Sequence, residues 1–405
     1  MRKLMVGLAV LCGSMTIWLS LGTGPAPSAP NPANDGLVVH EWGTFTSFAG
    51  SDGVPVHFTP NNSDLPNFVY YQEGDPNSKV SRLEHDGTVS METPVMYFYT
   101  KTDVRASIKV EFAKGWITEW YPFAIEPPAD RRRGRTAEGQ TIRWDVKLLA
   151  RESGHFPTEE NKVHYYEARD TDAVPVQAEV NVPKEQRDPS WRGGKLVQQE
   201  KFLFYRGVGN FPLPVTVQAL GKGKVRFKNG GTARAAGLLL LNVHNGKVGA
   251  RSLDPLDAGA EATATLPQAD SKLADVEEIM VKELTAAGLF EKEARAMVKT
   301  WDSAWFADEG TRLLYRVPRS RTDELLRLTV EPRPTEVQRV LVGRHDFLTP
   351  EVEGSVDSLV KKMGTSELDK QDAEQQLAKF GRFANQARAM AENRLHEKAV
   401  RKAPK

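Results

Sequence analysis

The sequence predicts a β-rich α+β fold, with an antiparallel β-sandwich-type N-terminal region followed by a mainly helical C-terminal region that contains a few strands. Between residues 37 and 267, short β-branched and aromatic segments alternate with Gly, Pro, Asn and Asp, which is the pattern of strands and turns. Many short strands at fairly regular spacing are typical of a β-sandwich. From residue 268 onward the apolar residues recur at helical spacing instead.

The β-rich region, 37–267, contains ten predicted strands. They are 95–99, 106–112, 116–123, 141–149, 173–180, 201–205, 214–219, 224–227, 237–243 and 260–265. Asn245-Gly246 stands between two apolar segments and predicts a two-residue hairpin. We expect the part between 225 and 266 to form an immunoglobulin-like end module.

The C-terminal region, 268–405, is predicted to be helical, with strands near 312–317 and 337–342. Apolar stripes along one face predict four helices, at about 276–284, 294–305, 350–363 and 367–395. Gly288 is the expected stop of the first helix. Thr349-Pro350-Glu351 is a favourable helix start, because it combines an N-cap, a proline at the first position and an acid in the first turn.

Residues 1–36 are predicted to be a signal peptide and linker. Arg2 and Lys3 precede an uncharged apolar stretch, and a run of small residues and prolines follows it. This is the order of a secretory signal, and we expect cleavage near Ser28. The alternative is an uncleaved N-terminal anchor, because the uncharged stretch approaches the ~20 residues that span a bilayer. Both interpretations predict an extracytoplasmic protein, periplasmic or secreted.

The composition excludes several classes of function. With 54 Lys and Arg against 53 Asp and Glu, the chain lacks the basic excess of a protein whose main ligand is nucleic acid. Its one cysteine, Cys12, lies in the leader. Cleavage would therefore leave a cysteine-free chain, without disulfides, thiol nucleophiles, zinc–thiolate sites or iron–sulfur clusters.

The first segment after the leader carries candidate functional residues. On a regular strand His40 and Trp42 point to one side and Glu41 to the other, so His40 and Glu41 cannot act as an adjacent pair. Glu41 shares its side with apolar residues and is a candidate catalytic carboxylate. The interpretation we favour is that Glu41 accepts hydrogen bonds in a structural network.

A second polar segment runs from residue 83 to residue 94. Glu84 and His85 could converge with His40 as ligands of a divalent transition metal such as zinc, iron or manganese, and Glu92 is a second candidate catalytic carboxylate. The simpler interpretation is structural, since His85-Asp86-Gly87 is also a favourable β-turn.

Three tryptophans are candidate ligand-binding residues, namely Trp42, Trp116 and Trp120. Alternation along one strand places Trp116 and Trp120 on the same side, about 13 Å apart, a spacing that suits non-adjacent rings of a sugar chain. Aromatic residues in strands more often belong to the core, so core packing is the favoured alternative.

Five segments together resemble an exported bacterial family. They are VHEWGTFTS at 39–47, METPVMYFY at 91–99, GWITEWYP at 115–122, WFADEGTRLLYRVP at 305–318 and RVLVGRHDFLTP at 339–350. The resemblance covers most of residues 37–350 and implies a bacterial origin and an extracytoplasmic location. The family carries no known activity, so the resemblance implies no substrate or catalytic residue.

The sequence favours a non-catalytic binding module of the cell envelope. GxSxG, P-loop, GxGxxG and HExxH motifs are all absent from it. The expected partner is an envelope protein, a glycan or a small molecule. The alternative is an extracytoplasmic hydrolase, metal-assisted or carboxylate-based, with a site around His40, Glu41, His85 and Glu92.

Overall fold

Seventeen strands and six α-helices form in the residues that the computed structural model describes, which are 36–58, 65–72, 87–129, 139–160, 163–181 and 195–402. The strands are β1 Val38–Ala49, β2 Tyr70–Tyr71, β3 Val89–Tyr99, β4 Val104–Phe112, β5 Gly115–Tyr121, β6 Gln140–Leu148, β7 Val176–Asn181, β8 Lys195–Glu200, β9 Leu203–Gly209, β10 Val215–Gly221, β11 Lys224–Asn229, β12 Ala236–His244, β13 Lys247–Leu253, β14 Glu261–Thr265, β15 Gly310–Arg316, β16 Leu326–Glu331 and β17 Glu336–Phe347. The helices are α1 Leu273–Ala286, α2 Glu291–Asp302, α3 Arg319–Leu325, α4 Pro350–Lys362, α5 Glu367–Ala378 and α6 Ala384–Lys402.

The strands form three sheets. The largest has nine strands in the order β13-β12-β15-β17-β1-β3-β9-β5-β2. A five-stranded sheet has the order β16-β4-β6-β7-β8, and a three-stranded sheet the order β10-β11-β14. The protein is therefore β-rich, as predicted, with its strands concentrated in the N-terminal part and its helices in the C-terminal part.

The nine-stranded sheet departs from the predicted antiparallel arrangement at its centre. β1 pairs in parallel with β17 and antiparallel with β3. β15 and β17 come from the region after residue 268, so the sheet joins strands from both of the regions that the sequence suggested. All twelve residues of β1 are buried. Such a strand has no solvent face, which explains why its sequence does not alternate cleanly between polar and apolar residues.

Apolar side chains cover both faces of the large sheet. One core cluster combines Val39 and Phe45 of β1 with residues of the two smaller sheets, such as Ile108 and Val217. The other face packs against α1 and α2, in a cluster that includes Trp42. We call these the sheet-side face and the helix-side face.

A third apolar cluster holds the C-terminal helices. Phe48 at the end of β1 stacks on Phe383 with ring centroids 4.5 Å apart, and Val356 of α4 and Ala387 of α6 belong to the same cluster. Thr349 caps α4 as predicted, accepting a hydrogen bond from the backbone N–H of Val352. Within the described residues, no helix combines the length and apolar character needed to cross a membrane.

Several local predictions are confirmed and two need correction. The hairpin at Asn245-Gly246 joins β12 and β13. The helix predicted at 367–395 is instead two helices, because Gly381 takes a φ of +53° between α5 and α6. The segment 225–266, expected to be one end module, is divided between the three-stranded and the nine-stranded sheets.

Gly43 in the middle of β1 is required by a close approach to β3. A Cβ at this position would lie 2.9 Å from the backbone Cα of Pro94. We expect Gly43→Ala to lower the free energy of unfolding by about 1–3 kcal/mol, since backbone atoms in a packed sheet would have to move. Urea denaturation measures the change.

Gly354→Ala is the matched control for this substitution. Gly354 lies inside α4, and a Cβ added there would have no atom within 4 Å, so alanine should leave stability unchanged or raise it by up to about 1 kcal/mol. Equal effects of the two substitutions would contradict the close approach at Gly43.

Candidate functional site

His40 on the helix-side face belongs to a buried network around Glu293 of α2. The Nδ1 of His40 lies 2.7 Å from Oε2 of Glu293, and the hydroxyl of Tyr99 donates to Oε1 at 2.5 Å. The backbone N–H of Phe290, the N-cap residue of α2, also donates to Oε2, at 2.9 Å, which satisfies one of the unpaired N–H groups at the start of the helix. Since a carboxylate only accepts, His40 donates from Nδ1. Its ring also stacks on Phe290, with centroids 4.4 Å apart.

Glu41 on the sheet-side face belongs to a different buried network. Its register partner on β17 is Arg339, whose Nε donates to Oε2, and the hydroxyl of Tyr205 donates to Oε1 at 2.5 Å. Arg339 also donates from Nη1 to Asp323 at 2.9 Å and to the carbonyl of Leu326 at 2.6 Å. Burial alone would lower the pKa of Arg339, but the Glu41 carboxylate raises it above its usual value. Glu41 is therefore held in an ion pair.

The sequence-predicted polar residues that the structure describes do not converge on one point. His40 and Glu41 lie on opposite faces of β1, and Glu92, whose register partner is Thr44, lies on the helix-side face. Glu84 and His85 lie outside the described residues. Among the residues that the structure describes, no group of three or more His, Cys, Asp or Glu side chains is placed to hold a metal ion.

The three tryptophans are buried rather than exposed as platforms. Trp42 packs against Tyr97, with ring centroids 6.0 Å apart, in the cluster beneath α1 and α2. The pairing of β5 with β9 shifts between Ile117 and Glu119, so Trp116 is opposite Val208 while Trp120 is opposite Tyr205. This irregularity turns Trp116 and Trp120 to opposite faces, and the expectation that they share one face was wrong.

A group of polar side chains crosses the centre of the sheet on the helix-side face. We call Thr44, Thr46, Ser90 and Arg344 the polar row. Thr46 is opposite Ser90 on β3 and opposite Arg344 on β17, in neighbouring strands about 4.8 Å apart. All four side chains are buried.

The polar row has hydrogen-bonding capacity that the described residues do not use. The hydroxyls of Thr44, Thr46 and Ser90, and Nη1 of Arg344, are buried and have no hydrogen-bond partner within the described part of the chain. A buried polar group without a partner costs about 1–3 kcal/mol, so four of them on neighbouring strands need a water molecule or a ligand as partner. The polar row is therefore the strongest candidate ligand site on the sheet.

Arg344 is held in place by carboxylates. Its Nε donates to Asp346 at 2.5 Å and its Nη2 to Asp346 at 3.1 Å and to Asp308 at 3.4 Å. Asp346 also accepts a hydrogen bond from Nε of Arg312 at 2.9 Å, and Arg312 in turn donates to backbone carbonyls between residues 304 and 309. The guanidinium of Arg344 is thus held in one orientation by these carboxylates.

The backbone beside the polar row is irregular. The pairing of β1 with β3 shifts between Trp42 and Thr44, and Thr93 of β3 has a φ of +48°. This conformation is uncommon for a β-branched residue, and such strain concentrates at functional sites. The pairing of β1 with β3 brings the motifs at 39–47 and 91–99 together at the polar row.

Ser47 and His345 form a polar pair on the sheet-side face. The hydroxyl of Ser47 lies 2.7 Å from Nδ1 of His345, its register partner on β17. Burial lowers the pKa of His345 to about 4, so its ring is neutral at pH 7. Sequence reasoning missed this pair, as it missed Glu293 and Arg339, because the partners are about 250–300 residues apart in the chain. It also missed Arg344, which only the pairing of β1 with β17 places opposite Thr46.

Comparisons with known proteins give no family. No family model matches the sequence, and no curated protein matches it at a significant level. Similar solved structures include the mu-homology domain of yeast delta-COP-I with a Dsl1 WxWxV peptide, at 7% identity and a TM-score of 0.29, covering 79% of this chain and 100% of that one. The same domain alone has 8% identity and a TM-score of 0.27, covering 80% and 100%. TM-scores this low carry no argument about fold or function.

The burial of His345 predicts that stability depends on pH. An unfolded histidine takes up a proton near pH 6.5, whereas His345 in the folded protein does so only near pH 4. Its contribution to stability is therefore complete above pH 6.5 and is lost as the pH falls toward 4, by up to about 3 kcal/mol. Urea denaturation across this pH range measures the loss.

His345→Asn should reduce this pH dependence, because the substituted side chain does not titrate. The matched control is His155→Asn, since the His155 side chain is exposed. A pH dependence that is the same in the wild type and in His345→Asn would contradict the assignment.

Proposed function

We propose that this protein is a non-catalytic ligand-binding protein of the cell envelope, and that the polar row contributes the ligand contacts. The observation that carries the proposal is the presence of four buried hydrogen-bonding groups without described partners on three adjacent central strands. A small polar molecule that accepts a hydrogen bond from Arg344 Nη1 and exchanges hydrogen bonds with the hydroxyls of Thr46 and Ser90 would satisfy them.

The charges around the polar row favour a neutral or weakly charged ligand. Asp346 and Asp308 oppose the positive charges of Arg344 and Arg312, so the fixed groups nearly cancel. Glu92, which is also buried, adds a further negative charge close to Arg344. A strongly anionic ligand would meet three carboxylates here, whereas a hydroxylated or amide-bearing molecule would not be repelled.

A hydrolase remains the alternative function, with less support. Its proposed acid and base groups include His40 and Glu41, which are engaged with Glu293 and Arg339 on opposite faces of β1. General acid–base catalysis needs such groups within reach of one proton. In the structure, His40 links β1 to α2, and Glu41 links β1 to β17.

We also propose that the protein is extracytoplasmic and that its β-rich region has a sandwich-type architecture. The charge pattern of residues 1–36 supports export, and the partner would then be an envelope protein, a glycan or a small molecule. One apolar cluster shared by the nine-, five- and three-stranded sheets supports face-to-face packing of the β-rich region.

Removing hydroxyls from the polar row tests the proposal. We expect Thr46→Val and Ser90→Ala to leave the free energy of unfolding unchanged, or to raise it by about 1 kcal/mol, because each removes a buried hydroxyl without a described partner. The same variants should lose the rise in Tm that a bound ligand causes in the wild type. Urea denaturation measures the first effect, and differential scanning fluorimetry with a panel of sugars, amino acids and small amides measures the second.

Thr329→Val is the matched control, because Thr329 is an exposed threonine on β16. It should keep the ligand response and change stability by less than about 0.5 kcal/mol. Turnover of an ester, glycoside or phosphoester panel would contradict the proposal. So would a stoichiometric transition metal that is lost in His40→Ala, since both results favour the hydrolase.

A further inference from the structure

A small pocket opens at the end of β15, away from the polar row. Its volume is about 190 Å³. On the side away from β1, β17 pairs with β15 only from Val342 onward, so the stretch from Gln338 to Val340 borders the pocket as an open strand edge. Ala236 of β12 and Ala287 after α1 complete the wall.

The charged residues that line this pocket are all arginines. They are Arg234, Arg316, Arg319 and Arg339. We call them the arginine pocket. Four different parts of the chain supply them: the approach to β12, the end of β15, the start of α3 and the centre of β17. No single helix or strand contains all four arginines, so the fold of the chain brings them together.

Carboxylates contact these arginines from outside the lining. Asp323 lies 2.7 Å from Nε of Arg319, Asp257 lies 3.3 Å from Nε of Arg234, and Glu283 lies 3.7 Å from Nε of Arg316. None of the three acids lines the pocket. These acids orient the guanidinium groups and offset part of their charge, and the pocket wall itself carries arginines and no carboxylate.

Two of the guanidinium groups have unused donors. Arg339 has a side chain that is only 1% exposed, and its Nη2 has no hydrogen-bond partner in the described part of the chain. Nε of Arg316 is also buried, and its nearest carboxylate oxygen, on Glu283, lies 3.7 Å away, beyond hydrogen-bond distance. A buried guanidinium N–H needs an acceptor, and an anion in the pocket would supply one.

We propose that the arginine pocket binds a phosphate group. Guanidinium forks match the oxygens of phosphate, and several arginines around one small space are typical of phosphate recognition. Pockets that bind larger organic ligands have volumes of about 300–1,000 Å³. The arginine pocket is smaller, so only a small group fits inside it.

This site is separate from the polar row and does not depend on the proposed function. Arg339 and Arg344 are five residues apart on β17, a distance of about 16 Å along an extended strand. The linings also differ, since Asp346 contacts Arg344 within the network of the polar row whereas no carboxylate lines the arginine pocket.

Isothermal titration of the purified protein with inorganic phosphate tests the inference. Binding should weaken with rising salt, because the site is partly exposed. Arg316→Gln should weaken it about tenfold or more, which is the loss of one charge-assisted hydrogen bond. Arg319→Gln is a second variant with the same expected effect. Arg339 is left intact because its side chain holds Glu41.

Arg327→Gln is the matched control. It removes the same charge from an exposed arginine on β16 that pairs with Glu111 at 2.9 Å and lies outside the pocket. Phosphate affinity should not change in this variant. Sedimentation with vesicles of phosphatidylcholine, with and without phosphatidic acid, distinguishes a lipid phosphate from a free one.

Two results would support the proposal and two would overturn it. Phosphate binding that is lost in Arg316→Gln supports a free phosphate, and binding only to phosphatidic acid vesicles, lost in the same variant, supports a lipid phosphate. Absence of binding in both assays would overturn the proposal. So would an equal loss in Arg316→Gln and Arg327→Gln, because that result reports only the overall charge.

Discussion

The ion pair between Glu41 and Arg339 is the interaction on which the arrangement of the sheets depends. It lies at the parallel junction of β1 with β17, where the C-terminal part of the chain enters the middle of the large sheet. Both side chains are almost fully buried, so removing either one would leave an uncompensated charge in the core. Arg339 also reaches Asp323 and the carbonyl of Leu326, which ties α3 and β16 to the same point.

His40, the residue next to Glu41, links β1 to the layer on the other face of the sheet. His40 donates to Glu293, and Glu293 also accepts from Tyr99 and from the backbone that begins α2. Two consecutive polar residues of one central strand therefore fix the layers on both of its sides. This explains why a strongly polar His-Glu pair is found in a fully buried strand without forming a catalytic pair.

Local sequence patterns predicted most strands and helices, whereas the buried polar contacts depend on pairing between distant segments of the chain. Most strands and helices were predictable because alternation, the Asn245-Gly246 turn and the Thr349 cap are local signals. Glu293, Arg339 and Arg344 were not, since their partners are far away in the chain and no spacing marks them. The prediction that Trp116 and Trp120 share one face was wrong because the pairing of β5 with β9 shifts between them. After such a shift, each later side chain of the strand points to the opposite face of the sheet.

A double-mutant cycle on the central ion pair tests this account most directly. Glu41→Leu and Arg339→Met should each lower the free energy of unfolding by about 3–5 kcal/mol, because each leaves a buried partner without its counter-charge. The double variant should cost less than the sum of the two, with a coupling of about 1–3 kcal/mol measured by urea denaturation. Small, additive losses would contradict the claim that this pair holds β1 to β17.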